Sequence, residues 1–269
     1  MAALAPHRLR PGARQPREGS SLIVASGPSL LDEGREKTPK VGDSVAPRWG
    51  CPIRNFRVLA YLSVMLKSPY QPCIPTRGCQ VPTGPDWVHE IKHDGFRLIV
   101  QREGDRVRLF TRNGYDWSER YPLIKAAAGQ LRAAAFVLDG EAVILRDNGL
   151  ADFDALRSKR HDHEARLVAF DLLAIDGEDI RTQPLHARKA RLAKLLGGAR
   201  STGSPGIQLS EHMEGGIGPE MFEHACKLGL EGIVSKRRES AYKAGPTSNW
   251  IKIKNPASPA MNRAKDGSW

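Results

Sequence analysis

Glu90-Ile91-Lys92-His93-Asp94-Gly95-Phe96-Arg97 places a lysine, a carboxylate and an arginine within six residues, with a glycine between the last two. The residues of Trp87–Ile91 before it and Phe96–Val100 after it predict strands. Asp94-Gly95 is a tight-turn dipeptide, so Lys92 is expected where one strand bends into the next. A lysine there can act as an amine nucleophile. It must be neutral to attack, which calls for nearby cations or a dry pocket to lower its pKa. The same pattern also describes a surface lysine in an ordinary hairpin, and on this stretch alone the hairpin is the simpler reading.

Working outward, Val107–Thr111 alternates apolar and polar residues as a strand, and Thr111-Arg112-Asn113-Gly114 closes a turn. Ser118 to Ala135 has helical spacing, with Ser118 as candidate N-cap. Phe136–Leu145 predicts two strands around Asp139-Gly140, a buried hairpin in which Glu141 needs a partner or a metal. Ala151–Arg157 predicts a short helix. His161-Asp162-His163 invites a metal reading, but no third ligand is apparent and an exposed loop explains it. Arg166–Ile175 is an apolar strand; its Phe170 is either core or a flat face for a base. Pro184–Leu196 predicts a basic amphipathic helix whose Arg188, Lys189, Arg191 and Lys194 face either DNA phosphates or solvent. Ile217–Leu228 predicts another helix, stopped by Gly229. Glu231–Lys236 predicts a strand. Trp250–Lys254 alternates, putting Lys252 and Lys254 on one face. Two adjacent lysines repel unless something negative lies between them; a triphosphate or plain solvent would serve.

The chain has 269 residues, room for one or two domains with a sizeable core. Its formal charge of +11 suits a polyanionic partner such as nucleic acid. Cys51, Cys73, Cys79 and Cys226 form no C-x-x-C pair, which argues against structural zinc and a disulfide scaffold and for a reducing compartment. No apolar run is long enough to span a membrane; Val58–Leu66 is a short patch only. Met1–Pro47 is rich in Arg, Pro, Gly and Ser and predicts disorder. Pro6, Pro11 and Pro16 break the amphipathic helix that a transit peptide needs.

Five blocks run in order along the chain: Glu90–Arg97, Leu138-Asp139-Gly140-Glu141-Ala142-Val143, Phe170-Asp171-Leu172-Leu173, Glu231–Lys236 and Trp250–Lys254. Each is weak alone, but the ordered set is specific. Together they resemble the nucleotidyl-transfer motifs of ATP-dependent DNA ligases, and above all the ligase module of bacterial end-joining ligases. The resemblance covers roughly Ser68 to Pro256. It implies an α+β, ATP-grasp-like fold shared by DNA ligases and mRNA-capping nucleotidyltransferases, with antiparallel sheets flanked by helices. It assigns residues 65–256 to an adenylation domain, 1–64 to a disordered or mis-annotated extension that could precede a true start at Met65, and 257–269 to a disordered tail.

The implied activity is nick sealing in DNA repair and recombination, through lysyl-AMP and DNA-adenylate. Lys92 would attack the α-phosphorus of ATP, while Lys252 and Lys254 would steady the phosphate and lower the pKa of Lys92. Phe170 would stack on adenine and Glu90 read its edge. Arg97 and Arg112 would hold ribose or phosphate, Glu141 would stand at the ribose or metal, and Lys236 would meet the nucleotide or the nicked strand. Asp94, Glu141 and Glu231 are the carboxylates for a divalent metal, Mg²⁺ or Mn²⁺. Nicked double-stranded DNA is the implied partner, in a bacterial cytoplasm and associated with the nucleoid. The family usually carries an OB-fold domain after the lysine pair. Only fifteen residues follow Lys254 here, so a separate OB-type or end-joining protein is the expected supplement. An RNA ligase or capping-type enzyme, and a truncated nick-binding remnant without turnover, stand as the alternatives.

Overall fold

The computed structural model describes residues 68–197 and 205–266. The expectations for residues 1–64, for a start at Met65 and for Val58–Leu66 lie outside these residues, as does most of the loop predicted from Gly198 to Pro205.

In chain order the described elements are β1 (Cys73–Arg77), β2 (Trp87–Ile91), β3 (Phe96–Glu103), β4 (Arg106–Thr111), α1 (Pro122–Gln130), β5 (Ala135–Val143), α2 (Phe153–Arg157), β6 (Arg166–Ile175), β7 (Glu178–Asp179), α3 (Leu185–Leu195), β8 (Ile207–Leu209), β9 (His212–Glu214), α4 (Gly218–Lys227), β10 (Gly232–Arg237), β11 (Gly245–Lys254) and α5 (Pro259–Asp266). Two sheets result. The first runs β1-β11-β10-β2-β9 and the second β4-β3-β5-β6-β7, with β8 alongside β6. Most pairings are antiparallel, but β1 lies parallel to β11 and β8 parallel to β6, so the sheets are mixed rather than purely antiparallel.

Alternation along the strands builds the layers. On β3, Leu98 and Val100 point one way and Ile99 the other, all essentially buried. Leu98 and Val100 join Ile124 of α1, Leu138, Leu167 and Leu192 of α3 in a core on the outer face of the second sheet. Ile99 joins Phe110, Val137, Phe170, Leu173 and Trp250 in a second core, which ties the second sheet to β11 of the first. Ala225 of α4 covers Ile233 and Ile253 on the first sheet.

Four sequence expectations change. Asp94-Gly95 does not close a hairpin: β2 and β3 belong to different sheets, and Lys92–Gly95 is the passage between them. Gly95 is required by close approach, since a Cβ there would stand 2.1 Å from the Ala142 carbonyl oxygen. Asp139-Gly140 is likewise no turn but the middle of β5, with a bulge against β6. The helix predicted from Ser118 is only α1, entered through Tyr121 and Pro122. Ser118 does not cap it; its Oγ accepts from Leu109 N at 3.0 Å and donates to Asp116. The segment expected as a disordered tail carries α5, anchored by buried Ser258 and Ala260.

Candidate active site

Lys92 follows the last residue of β2, and its backbone N–H donates to the Gly232 carbonyl of β10 at 2.9 Å. That contact fixes the end of the inter-sheet passage against the strand that follows Glu231. The Lys92 Nζ lies 2.6 Å from Glu231 Oε2, and Lys254 Nζ lies 3.0 Å from Glu231 Oε1. One buried carboxylate therefore bridges two ammonium groups. Lys252 faces the same place. Partial burial, then the neighbouring charges of Lys92, Lys254 and Arg112, lower its pKa, against a weaker upward pull from Glu231. Lys252 is paired with Val234 in the sheet register and Lys254 with Gly232, so alternation puts both on one face of the sheet, Lys254 on the carboxylate and Lys252 on the cleft.

A cleft opens between the sheets beside Lys92. Of the residues singled out in the sequence, Glu90, Lys92, Arg97, Arg112, Glu141, Phe170, Lys236 and Lys252 line it. Asp94, Glu231 and Lys254 do not; Asp94 and Glu231 line a second cleft on the other side of Lys92, with Arg263, and Lys254 reaches the site through Glu231.

Glu90 and Lys252 stand on β2 and β11, either side of Val234 on β10. Glu90 Oε1 is 2.8 Å from Lys189 Nζ and its Oε2 is 2.8 Å from Lys236 Nζ. Burial alone would raise this carboxyl, but the two ammonium groups override it and hold it at about 2. Lys236 is itself buried, with Nζ 4.3 Å from the Phe170 ring centroid and 4.1 Å from that of Trp250. It serves Glu90 and the aromatic pair and is not placed to reach a nucleic-acid strand. Arg97 is held on two sides of its fork by Asp139, at 2.5 and 2.6 Å, and lies 4.4 Å from the Phe170 centroid. Tyr242 donates to the same Asp139 at 2.6 Å and accepts from Cys73 N at 2.9 Å. This network orients Arg97 along the cleft wall.

Glu141 stands across the β3–β5 ladder from Arg97. Burial pushes its carboxyl up to about 7; Lys92 and Arg97 pull it back only in part. Asp94 is paired with Arg263 of α5, and burial raises its pKa despite that bond. Among the described residues no group of three or more His, Cys, Asp and Glu side chains stands close enough to hold a metal ion. The three-carboxylate metal set does not assemble: Asp94 is engaged by Arg263, Glu231 by two lysines, and Glu141 alone lies in the first cleft.

The basic helix is not a phosphate-facing or solvated surface throughout. Arg188 has no exposure and grips Asp171, also unexposed, through Nε and a second nitrogen at 2.8 and 2.9 Å. Lys189 is buried against Glu90, and Arg191 pairs with Glu178 at 2.7 Å on the surface. Sequence reasoning misses Asp139, Tyr242 and Arg263 and misplaces Lys189. Asp139-Gly140 carries a turn signal; Tyr242 and Arg263 give no local signal, because their partners are 103 and 169 residues away, and Lys189 on α3 meets a carboxylate carried by β2.

Residues 72–254 match the ATP dependent DNA ligase domain family. Over 243 residues the chain is 34% identical to the multifunctional non-homologous end joining protein LigD of Pseudomonas aeruginosa, covering 89% of this chain and 25% of that protein. It is 32% identical to a probable DNA ligase of Streptomyces griseus, covering 73% of this chain and 42% of that one. Among solved structures, the ligase domain of Mycobacterium tuberculosis LigD shares 31% identity at a TM-score of 0.59, over 68% of this chain and 60% of that chain. A mycobacterial DNA ligase D complexed with ATP and MES gives 30% identity at the same TM-score of 0.59, over 68% and 60%. The chain thus spans a quarter to under half of the length of the two curated relatives named. With its ordered blocks gathered around one cleft, the chain belongs to the ATP-dependent DNA ligase domain family.

Proposed function

We propose that this chain carries the ATP-dependent, DNA-sealing chemistry of a ligase, with Lys92 as the adenylated nucleophile. The observation that carries the reading is the position of the Lys92 ammonium. It opens onto a cleft that is also lined by an aromatic ring, Phe170, an ionised acceptor, Glu90, and a further ammonium, Lys252, with Glu90 and Lys252 on either side of Val234 in the sheet. A nucleotide fits that polarity: adenine on Phe170 with its amino group toward Glu90, ribose near Arg97 and Arg112, and phosphates toward Lys252 and Lys254.

In the first step the Lys92 proton passes to Glu231 Oε2, which already accepts from it. The freed amine attacks the α-phosphorus, a P–N bond forms, and the bond to the bridging oxygen breaks as pyrophosphate leaves. Lys252 and Lys254 oppose the charge that builds on the phosphate oxygens. The AMP then passes from Lys92 to the 5′-phosphate of a nick, and the 3′-hydroxyl displaces it to seal the strand. A divalent cation, Mg²⁺ or Mn²⁺, would arrive with ATP and neutralise phosphate charge, and Glu141, which lines the cleft, would offer it an oxygen.

The charge of +11 supports a polyanionic second substrate, which we take as nicked duplex DNA in a bacterial cytoplasm, at the nucleoid. A separate OB-type or end-joining protein is the proposed partner. The test supplies nicked duplex already adenylated at its 5′-phosphate, so that only the last step is asked for. Sealing of DNA in preference to an RNA duplex is expected; sealing of RNA alone would replace the substrate class.

A further inference from the structure

Lys189 is a buried titratable group that the chemistry above does not use. It sits on α3, which packs against β6, and its ammonium meets Glu90 with each side chain only 3% exposed. The same nitrogen is 3.5 Å from the carbonyl oxygen of Phe170. One side chain therefore touches both the carboxylate and the backbone of the aromatic residue that line the cleft. The remaining Glu90 contacts are Lys236 at 2.8 Å and Ser210 Oγ, which donates at 3.3 Å.

Two buried ammonium groups on one carboxylate leave a positive charge uncompensated, and they hold that carboxylate ionised and still. A buried carboxyl left with weak support takes up a proton, and a protonated one donates as well as accepts. Lys236 alone is an insufficient anchor, because burial lowers its own hold on its proton and its charge is shared with two aromatic faces. With Lys189 on Oε1 and Lys236 on Oε2, Glu90, which lines the cleft, is held as an acceptor at both oxygens. A 6-amino purine offers a donor there; a 6-carbonyl purine offers a second acceptor, which is repelled.

We propose that Lys189 is a positioning residue for base selection, fixing Glu90 as an acceptor so that the cleft takes a purine with a 6-amino group and rejects one with a 6-carbonyl. This rests on the nucleotide reading above and extends it to a residue on a distant helix.

Titration calorimetry without divalent metal compares ATP, GTP and purine riboside triphosphate, in which hydrogen replaces the amino group, on the full chain. In the unaltered chain ATP is expected to bind at least about 10-fold more tightly than either competitor, the value of one hydrogen bond to a charged group. In Lys189→Met the preference falls to about 3-fold or less by partial loss of that bond, while melting curves show a folded protein. A folded Lys189→Met chain that keeps the unaltered preference overturns the proposal alone. If that variant does not fold, Glu90→Gln and Glu90→Gln/Lys189→Met are compared, since the pair leaves no unpaired buried carboxylate. With no carboxylate to hold, the second substitution should leave the preference unchanged, and a further loss would refute the assignment. Failure of the unaltered chain to bind any of the three nucleotides would instead sink the nucleotide reading, and this proposal with it.

Discussion

Glu231→Gln tests the charge arrangement around the nucleophile. The carboxylate makes two charge-assisted contacts, 2.6 Å to Lys92 and 3.0 Å to Lys254, and its side chain is 5% exposed. Such bonds contribute about 1.5–3 kcal/mol each when desolvated. The lysine side chains are 22% and 20% exposed, so water screens part of this and the lower end applies. The loss is then about 3 kcal/mol, which for a domain of this size lowers Tm by roughly 6–12 °C. The assay is thermal unfolding with and without ATP, in EDTA so that nothing turns over. The triphosphate brings negative charge to lysines that have lost their carboxylate. ATP should therefore raise Tm more in Glu231→Gln than in the unaltered chain. An unchanged Tm would mean that Glu231 does not hold the lysines; a smaller ATP-induced rise would mean that the lysines do not receive the phosphates.

Other consequences follow from the same geometry. Lys252→Ala should slow covalent AMP transfer by about 10²–10³-fold at saturating ATP, since it removes charge opposite the developing oxyanion; an unchanged rate would dismiss that role. Glu141 has its pKa raised from 4.5 to about 7. A carboxyl raised in the folded state binds more protons folded than unfolded between those values. Its stabilising contribution is thus complete below pH about 4.5 and is lost as pH rises through about 7. Glu141→Gln should flatten that decline, and Mn²⁺ affinity in the unaltered chain should climb through pH about 7; pH-independent stability differences between the two would contradict the burial argument. Arg188→Met leaves Asp171 buried without its partner and should cost about 3–5 kcal/mol by urea unfolding, with DNA affinity of the folded fraction unaltered. Weakened DNA binding at full stability would restore the surface reading of that helix.

The five ordered blocks were legible because each keeps its functional groups within a few residues, and the strands that carry them alternate cleanly, as Trp250–Lys254 does. Asp-Gly was misleading twice for a physical reason. It is a turn signal when glycine is needed for its backbone freedom. At Gly95 and Gly140 the need is for the absence of a side chain, against the Ala142 carbonyl and against Leu167 and Val168 of the neighbouring strand. Spacing cannot separate those needs. Arg188 and Lys189 were read as surface charges because helical periodicity treats any charge as polar. What makes them core residues is Asp171 on β6 and Glu90 on β2, and only the folded pairing of strands with α3 brings those carboxylates under the helix. The segment after Lys254 lacks an apolar period, yet Arg263 finds Asp94 and lies 4.5 Å from the Phe153 ring centroid. Its order comes from long-range contacts.

The central claim is that Lys92 becomes covalently adenylated, and it is tested most directly by incubating the chain with α-labelled ATP and Mg²⁺ or Mn²⁺ before denaturing electrophoresis. The account predicts a labelled band in the unaltered chain, located by peptide mapping to Lys92 and absent from a folded Lys92→Ala variant. A label that survives in Lys92→Ala, or that maps to another residue, would contradict it.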